Sequence, residues 1–366
     1  MVAASRIRRR LCALTLALAL SGGCGEAARL LADIEAGPGP SALKRATPSP
    51  TVAPWPVPGT TADLWRPGPG EQARARLVLV PGLSEAGRRD ARLVPLAQSL
   101  ARAGFLVLVP DLPAARRLAV SASDAEAIAA AVLALPEGPG PAGLAAISYA
   151  AGPAFLAALR PEVGARLDVV VTLGAYHDTE AFLTFLTTGA YRDGATLRLG
   201  RPRPEALWLF VLANAHHLPD LREAFWLRAA AEARLRGQPL PGPAPGGGAA
   251  AVLALAEELD PEAIPARLAA LPAPIRAELA ALSLAKAPLE RLAACAILIH
   301  GEADPVIPWT ESRHLAERLP RARLHIIPGL DHVEPANLPL AGRLALLRAA
   351  EDLLAARDGR DPCAGA

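Results

Sequence analysis

The sequence predicts an α/β fold in which a mostly parallel, doubly wound sheet carries an inserted helical cap. From about residue 61 onward, short apolar runs bounded by Pro, Gly or Asp alternate with helical patterns, which is typical of parallel strands covered on both faces. The alternation stops between 178 and 292, where the pattern predicts several helices broken by a Pro/Gly-rich stretch at 239–248. An insertion of this size between two strands indicates a cap.

The predicted strands and helices follow one another in the order of such a sheet. The strand-like runs are 77–80, 105–109, 144–147, 169–173, 295–299 and 324–327. The helical patterns are 91–103, 123–135, 150–159 and 311–319, with a terminal helix near 341–356. We therefore assign the core to residues 61–177 and 293–358, the cap to 178–292 and a tail to 359–366.

Length and charge limit the possible functions. With 366 residues, of which 52% are hydrophobic, the chain can bury a large core. Its net charge is only +2, and no arginine run outside the N-terminus is interleaved with aromatic residues. Nucleic acid is therefore not expected as a partner.

The N-terminus has the features of an export signal. Four arginines, Arg6, Arg8, Arg9 and Arg10, precede an apolar run at 11–20 that is too short to span a bilayer. The following Ser-Gly-Gly-Cys resembles a bacterial lipobox, with serine where an aliphatic residue is usual. We expect residues 1–24 to be a signal peptide and Cys24 to be lipidated, which would hold the protein in the cell envelope or periplasm on a membrane anchor. Ordinary signal-peptidase cleavage, giving a secreted protein, is the alternative.

The segment between this signal and the core is rich in Pro and Gly. Residues 25–60 are interpreted as a linker, since 37–58 shows no hydrophobic periodicity. The remaining cysteines predict no disulfide framework. Cys295 lies in an apolar strand and is expected to be an ordinary core residue, although pairing with Cys363 in an oxidising compartment stays open.

Ser148 lies where a strand runs into a helix, in the stretch Leu-Ala-Ala-Ile-Ser-Tyr-Ala-Ala-Gly at 144–152. This layout is that of a nucleophile elbow, whose strained backbone exposes a serine hydroxyl at the top of a sheet. The turn requires small residues two positions before and after the serine. Here they are Ala146 and Ala150, where glycine is usual.

The order of several motifs resembles the α/β-hydrolases, close to their dienelactone-hydrolase-like and esterase branch. An early strand at 62–67 and the strand-to-loop stretch Leu-Val-Leu-Val-Pro-Gly at 77–82 precede the elbow. His-Gly-Glu-Ala-Asp-Pro at 300–305 and Gly-Leu-Asp-His at 329–332 follow it. The resemblance covers about residues 61–356 without most of the cap, and it implies an α/β-hydrolase fold.

The resemblance also implies a Ser-Asp-His triad in the family's order. His332 would act as the base that takes the proton of Ser148, and Asp304 would orient the imidazole and stabilise its charged form. Backbone N–H groups of Tyr149, and of Leu83 or Ser84 in the loop after 77–82, would form the oxyanion hole.

Other polar residues have weaker assignments. Tyr176 and His177 follow the strand after the elbow helix and are expected to line the pocket, while Asp178 is an alternative acid for the triad. A metal site at His216, His217 and Asp220 in the cap is not expected, because adjacent histidines on a helix point in different directions.

These patterns predict a serine hydrolase that cleaves a carboxylic ester, thioester or lactone through an acyl-enzyme, without a metal or organic cofactor. The partner would be a small ester-type substrate, with an apolar group suited to the apolar cap. A peptidase or acyltransferase of the same fold, and a non-catalytic envelope protein that kept the scaffold for binding, are the alternatives.

Overall fold

The computed structural model describes residues 22–333 and 337–364. Residues 1–21 of the predicted signal peptide, and the side chain of Cys24, lie outside this part of the chain. Lipidation at Cys24 therefore stays a prediction. Within the described part, no helix is both long enough and apolar enough to cross a bilayer.

Within the described residues, ten strands form two sheets. They are β1 (Thr51–Val57), β2 (Thr60–Arg66), β3 (Ala75–Val80), β4 (Phe105–Pro110), β5 (Ala142–Ile147), β6 (Val169–Leu173), β7 (Ala190–Asp193), β8 (Thr196–Leu199), β9 (Cys295–Gly301) and β10 (Ala322–Ile327). Eight of them form the main sheet in the order β1-β2-β4-β3-β5-β6-β9-β10, and β7 pairs with β8. The pairs β1–β2 and β2–β4 are antiparallel, and the other pairs of the main sheet are parallel. The predicted mostly parallel sheet is confirmed.

Helices cover both faces of this sheet and form the cap. They are α1 (Gly22–Ala36), α2 (Ala42–Ala46), α3 (Leu93–Arg102), α4 (Asp124–Leu133), α5 (Ala151–Ala158), α6 (Pro161–Gly164), α7 (Thr179–Thr188), α8 (Pro204–Asn214), α9 (Leu221–Leu235), α10 (Gly247–Ala256), α11 (Ile264–Ala269), α12 (Ala273–Leu282), α13 (Thr310–Arg318) and α14 (Leu340–Arg357). One face packs on α4, α5 and α13, and the other packs on α1, α3 and α14. The strands are buried from both sides, which explains their continuous apolar runs.

The cap runs from α7 to α12 and has its own hydrophobic core. Leu183, Leu227 and Ile264 are completely buried in it. The cap also contains the β7–β8 hairpin, which the helical interpretation of 178–292 did not predict. The two strands are joined by a two-residue loop between the paired Asp193 and Thr196, and Gly194 takes a positive φ of 60° there.

The interpretation of residues 25–60 as a linker is wrong. This segment forms α1, α2 and β1, and it packs on the core. In α1 the apolar residues Ala27, Leu30, Leu31 and Ile34 recur at helical spacing, and the first two are buried against the sheet-covering helices.

The prolines of this segment are compatible with a strand because β1 is at the edge of the sheet. Pro54 and Pro56 pair only with β2, opposite Asp63 and Thr61. A proline lacks the N–H that a central strand needs, but at an edge that position can face solvent. Proline density therefore marked an edge strand here and not a linker.

An ion-pair cluster ties α1 to the end of the chain's last helix. The guanidinium of Arg357 is buried, donates to both carboxylate oxygens of Glu26, and also donates to the carbonyl oxygen of Ala103 at 2.6 Å. The hydrogen bond from Arg357 lowers the pKa of Glu26 below its usual value in spite of burial. A buried arginine of this kind must keep its partners, because an unpaired buried charge is costly.

Cys295 and Cys363 form a disulfide. The expectation that Cys295 is an ordinary core residue is therefore incomplete, since it is buried in the core and also bonded to the tail. The spacing of the two cysteines gave no indication of this pairing. The bond fixes residue 363 against the first residue of β9.

We expect Leu30→Ala to lower the free energy of unfolding by about 2–4 kcal/mol, because it removes a side chain that is fully buried against the core. Glu35→Ala on the same helix is exposed and is the matched control, with an expected change within about 0.5 kcal/mol. Urea denaturation followed by circular dichroism measures both values. Equal, small effects of the two substitutions would show that α1 does not contribute to the folded core.

Candidate active site

Ser148 lies at the turn between β5 and α5, at the edge of the main sheet where its parallel strands end, here called the carboxyl edge. Its φ is +55°, in the left-handed region that residues other than glycine rarely adopt. Ala146 and Ala150 are both buried, so the turn leaves no room for larger side chains two positions before and after the serine. Alanine is small enough for the elbow that the sequence predicted.

The loop after β3 passes against this elbow. A Cβ atom added to Gly82 would lie 3.2 Å from the carbonyl oxygen of Ile147 and 3.7 Å from the Cβ of Ser148. The next residue, Leu83, and Tyr149 both pack against the small buried cluster of Val120, Ala213 and Leu282. The loop that contains Gly82 therefore lies beside Ser148.

Asp304 lies in the turn that follows β9, also at the carboxyl edge. Its carboxylate is fully buried, and its Oδ1 accepts the backbone N–H groups of Val306 at 2.8 Å and Ile307 at 2.9 Å. These two bonds leave Oδ2 to face the loop that follows β10. The turn thus holds the carboxylate in one orientation.

His332 lies in that loop and joins the other two side chains. Its Nδ1 is 2.7 Å from Oδ2 of Asp304, and its Nε2 is 2.6 Å from Oγ of Ser148. With the proton on Nδ1, the ring donates to the carboxylate and its Nε2 accepts from the serine hydroxyl. The three side chains that the sequence singled out are therefore in one hydrogen-bonded chain.

Gly174, directly after β6, makes room for this imidazole. Its φ is +68°, and an added Cβ would lie 3.1 Å from Cε1 of His332 and 3.6 Å from Oδ2 of Asp304. A side chain here would be strained by the backbone and would press on the ring. The close approach of the β6 end helps to fix the position of His332.

The environment of Asp304 keeps its carboxyl group ionised. Burial by itself would raise the pKa, but the charge of His332 and the hydrogen bonds from His300 and His332 outweigh burial and hold it well below its usual value. An ionised carboxylate at this position attracts a positive charge on the His332 ring. The arrangement therefore suits a histidine that gains and returns a proton.

His300, the last but one residue of β9, also contacts the carboxylate of Asp304. It is completely buried, and its Nε2 is 2.9 Å from the carbonyl oxygen of Ile307 and 3.3 Å from Oδ2 of Asp304. Its Nδ1 is 2.6 Å from Oγ of Ser312. Because a carbonyl can only accept, Nε2 carries the proton, and the same N–H faces Asp304.

Tyr149 anchors the elbow through its side chain as well. Its hydroxyl accepts the N–H of Ser121 at 2.7 Å and lies 3.2 Å from Oδ2 of Asp124. Asp124 is buried, and burial raises its pKa above the usual value although two backbone N–H groups donate to it. In the sequence, residue 124 falls within the helical pattern at 123–135, and its contact with the elbow could not be read from spacing.

Tyr176 and His177 occupy different surroundings, although both were expected to line the pocket. The Tyr176 hydroxyl packs directly on Gly152 of the elbow helix, its pKa is raised by burial, and it has no hydrogen-bond partner in the described part of the chain. The His177 ring lies 5.9 Å from the ring of His314 on α13, and no contact joins it to Ser148 among the described residues. Only Tyr176 lies beside the elbow.

The remaining polar residues have structural positions. Asp178 caps α7 by accepting the N–H of Glu180 and also accepts from the Ser283 hydroxyl, so the alternative that it is the acid of the triad is not supported. His217 reaches the carbonyl oxygen of Val120 at 3.3 Å. Over the described ranges, the one cluster with metal-ligand spacing contains Cys295 and Cys363, whose sulfurs are bonded to each other.

A surface cavity of about 340 Å³ lies away from these side chains. Thr51, Arg66 and Leu106 line it, at the opposite edge of the sheet from Ser148. It therefore has no direct part in chemistry at the serine.

We expect the unmodified protein to have a larger free energy of unfolding than the Asp304→Asn variant near neutral pH. This difference should shrink as the pH falls from about 5 to about 3. The pKa of Asp304 is lower in the folded state than in the unfolded state, so its contribution is complete above the unfolded pKa and is lost as pH falls toward the folded one. Urea denaturation of both proteins at several pH values measures this difference. A difference that is constant or grows toward acid pH would contradict the depressed pKa.

Comparison with known proteins places these observations in a family. A model of the alpha/beta hydrolase family matches residues 77–342. Similar solved structures include the alpha/beta hydrolase GrgF from Penicillium sp. sh18, which is 16% identical with a TM-score of 0.48, the alignment covering 85% of this chain and 99% of that one. An alpha/beta hydrolase fold protein from Nakamurella multipartita is 20% identical with a TM-score of 0.43, over 84% and 100% of the two chains. A dienelactone hydrolase from Anabaena variabilis is 17% identical with a TM-score of 0.41, the alignment covering 83% of this chain and 96% of that one.

A search of curated protein sequences finds no significant match. The family model spans most of the chain, and the protein therefore belongs to the alpha/beta hydrolase family.

Proposed function

We propose that this protein is a serine hydrolase that cleaves carboxylic esters through an acyl-enzyme. The observation that carries the proposal is the hydrogen-bonded chain from Asp304 through His332 to Ser148. A serine hydroxyl is a weak nucleophile at neutral pH, and an adjacent base that can take its proton is what activates it.

In the proposed first step, the Oγ of Ser148 attacks the ester carbonyl carbon while its proton passes to Nε2 of His332. Asp304 stabilises the imidazolium that forms, and its depressed pKa keeps it ionised during the step. The imidazolium then gives the proton to the departing alkoxide, which leaves as an alcohol. Water, deprotonated by the same ring, releases the acid and restores the serine.

The negative charge that develops on the carbonyl oxygen needs preorganised donors. The backbone N–H groups of Tyr149 and Leu83 are the candidates, since Tyr149 follows the serine and Leu83 follows Gly82, which packs against it. The backbone N–H of Ser84, one residue further along the same loop, is the alternative to that of Leu83.

An apolar cluster beside the elbow supports an apolar group on the substrate. Leu83 and Tyr149 of the core pack there against Val120, Ala213 and Leu282, the last two from the cap. An acyl chain bound between core and cap would contact these side chains. Pockets lined in this way, with few polar groups, favour esters of hydrophobic acids over charged substrates.

The proposal includes export. The sequence up to Cys24 has the features of a signal peptide, and Cys295 and Cys363 form a disulfide, which persists in oxidising compartments and is rare in the cytosol of mesophiles. Both observations fit a cell-envelope or periplasmic enzyme held by lipid on Cys24.

We expect Ser148→Ala to lower kcat for hydrolysis of a p-nitrophenyl ester at least about a thousandfold, because the nucleophile is removed. It should also abolish labelling by a fluorophosphonate, which reacts only with an activated serine. Ser123→Ala, at an exposed serine, is the control and should leave both signals unchanged. Retained turnover by folded Ser148→Ala would rule out this mechanism.

We expect His300→Phe to lower kcat about tenfold with little change in KM, since it removes the N–H that supports Asp304 while keeping a ring of similar size. His325→Phe is the matched control. His325 also bonds a carboxylate, that of Asp352 on α14, but it does not contact the three site residues. Steady-state kinetics of both variants give the comparison, and equal loss of kcat would show that His300 acts only through general stability.

A further inference from the structure

The proposed catalytic residues lie at one end of the parallel strands of the main sheet, and helix α1 begins at the other end. The proposed catalytic residues Ser148, Asp304 and His332 follow the carboxyl ends of β5, β9 and β10, which are parallel. The opposite edge, where these strands begin, is here called the amino edge. A six-residue strand such as β5 spans about 20 Å, which sets the distance between the two edges.

The N-terminal helix begins at the amino edge. Glu26 is 3.6 Å from the guanidinium of Arg74, which directly precedes β3, and it pairs with Arg357, which donates to the carbonyl of Ala103 just before β4. These contacts hold Glu26, near the beginning of α1, at the beginning of two neighbouring strands.

No linker separates Glu26 from the proposed lipid anchor. Gly25 is the single residue between Cys24 and Glu26, and Ala27 and Leu30 are already buried in the core. A flexible linker would let the domain rotate freely above a membrane. Here, by contrast, an acylated Cys24 would fix the amino edge within a few ångströms of the bilayer surface.

We propose that, when Cys24 is acylated, the amino edge of the main sheet faces the membrane and the carboxyl edge faces the aqueous phase. The substrate is then a water-soluble ester that reaches Ser148 from solution, and not a lipid of the bilayer that holds the anchor. The substrate part of this proposal rests on the function proposed above, whereas the orientation does not.

Two thiols placed at the ends of one strand test the orientation. Gln72→Cys precedes β3 at the amino edge, and Glu85→Cys follows it at the carboxyl edge; both positions are exposed. In the mature protein these would be the reactive thiols, because Cys295 and Cys363 are bonded to each other and Cys24 would be acylated. Each variant is labelled with the same fluorophore and reconstituted into phosphatidylethanolamine–phosphatidylglycerol vesicles that contain a lipid with a nitroxide on its headgroup.

Contact quenching by the nitroxide reports which edge lies on the membrane. We expect strong quenching at residue 72 and little at residue 85. Equal quenching, or stronger quenching at residue 85, would overturn the orientation. A mature chain whose mass shows no lipid on Cys24, and which does not bind the vesicles, would overturn it as well.

Activity on the same vesicles tests the substrate. The anchored protein should hydrolyse a dissolved short-chain ester at a rate within about twofold of a Cys24→Ser form purified without lipid, and it should release no fatty acid from the vesicle phospholipids. Release of fatty acid that depends on the anchor would overturn the inference. Inactivity on both substrates would instead contradict the proposed function, while the quenching pair would still decide the orientation.

Discussion

The buried carboxylate of Asp304 is the group on which the rest of the site depends. A carboxylate without water is unstable unless donors surround it, and here Val306 and Ile307 satisfy Oδ1 while His300 and His332 face Oδ2. With both oxygens of the carboxylate paired, its negative charge favours a positive charge on the His332 ring that contacts it. The position of His332 then fixes which nitrogen faces Ser148. A displacement of this turn would therefore shift the His332 ring and its contact with Ser148.

The parallel sheet is what brings these groups together. Asp304 and His332 are separated by 28 residues, and His332 and Ser148 by 184, yet all three follow strands whose carboxyl ends lie at the same edge. The length of the segments between the strands matters little for such contacts. The strands fix the positions of the site residues, and each connecting segment has only to span the distance between two strands. This explains how a whole cap can be inserted between β6 and β9 without disturbing the site. The two ends of the insertion lie side by side, because the N–H of Leu284 donates to the carbonyl oxygen of His177.

The sequence predicted those features that depend on local pattern. Continuous apolar runs predicted β3 to β6 and β9, and small residues around Ser148 predicted the elbow, since both follow from rules that act over a few residues. Features that depend on distant partners could not be predicted from local pattern: the triad was expected only from the resemblance, the disulfide was left open, and other contacts were not predicted. The burial of α1, the pairing of Cys295 with Cys363 and the contact of Tyr149 with Asp124 each join segments whose relation is set only by the finished fold. In α1 a signal was present, in the helical spacing of Ala27, Leu30 and Ile34, but proline in the next segment obscured it.

The cap has a hydrophobic core that is separate from that of the main sheet. Its two connections lie side by side, and the first is held by the buried carboxylate of Glu311 on α13, which accepts the N–H groups of His177 and Asp178 at 2.9 and 2.7 Å. Beyond these connections, the cap meets the core through the contact of Glu278 with the N–H of Ala122 and the small cluster around Val120. Two ion pairs, Arg203–Asp331 and Arg313–Asp193, also join the two parts. Because Leu118 of the core packs against the hydrophobic core of the cap, separating the two parts would expose apolar surface there as well as break these polar contacts.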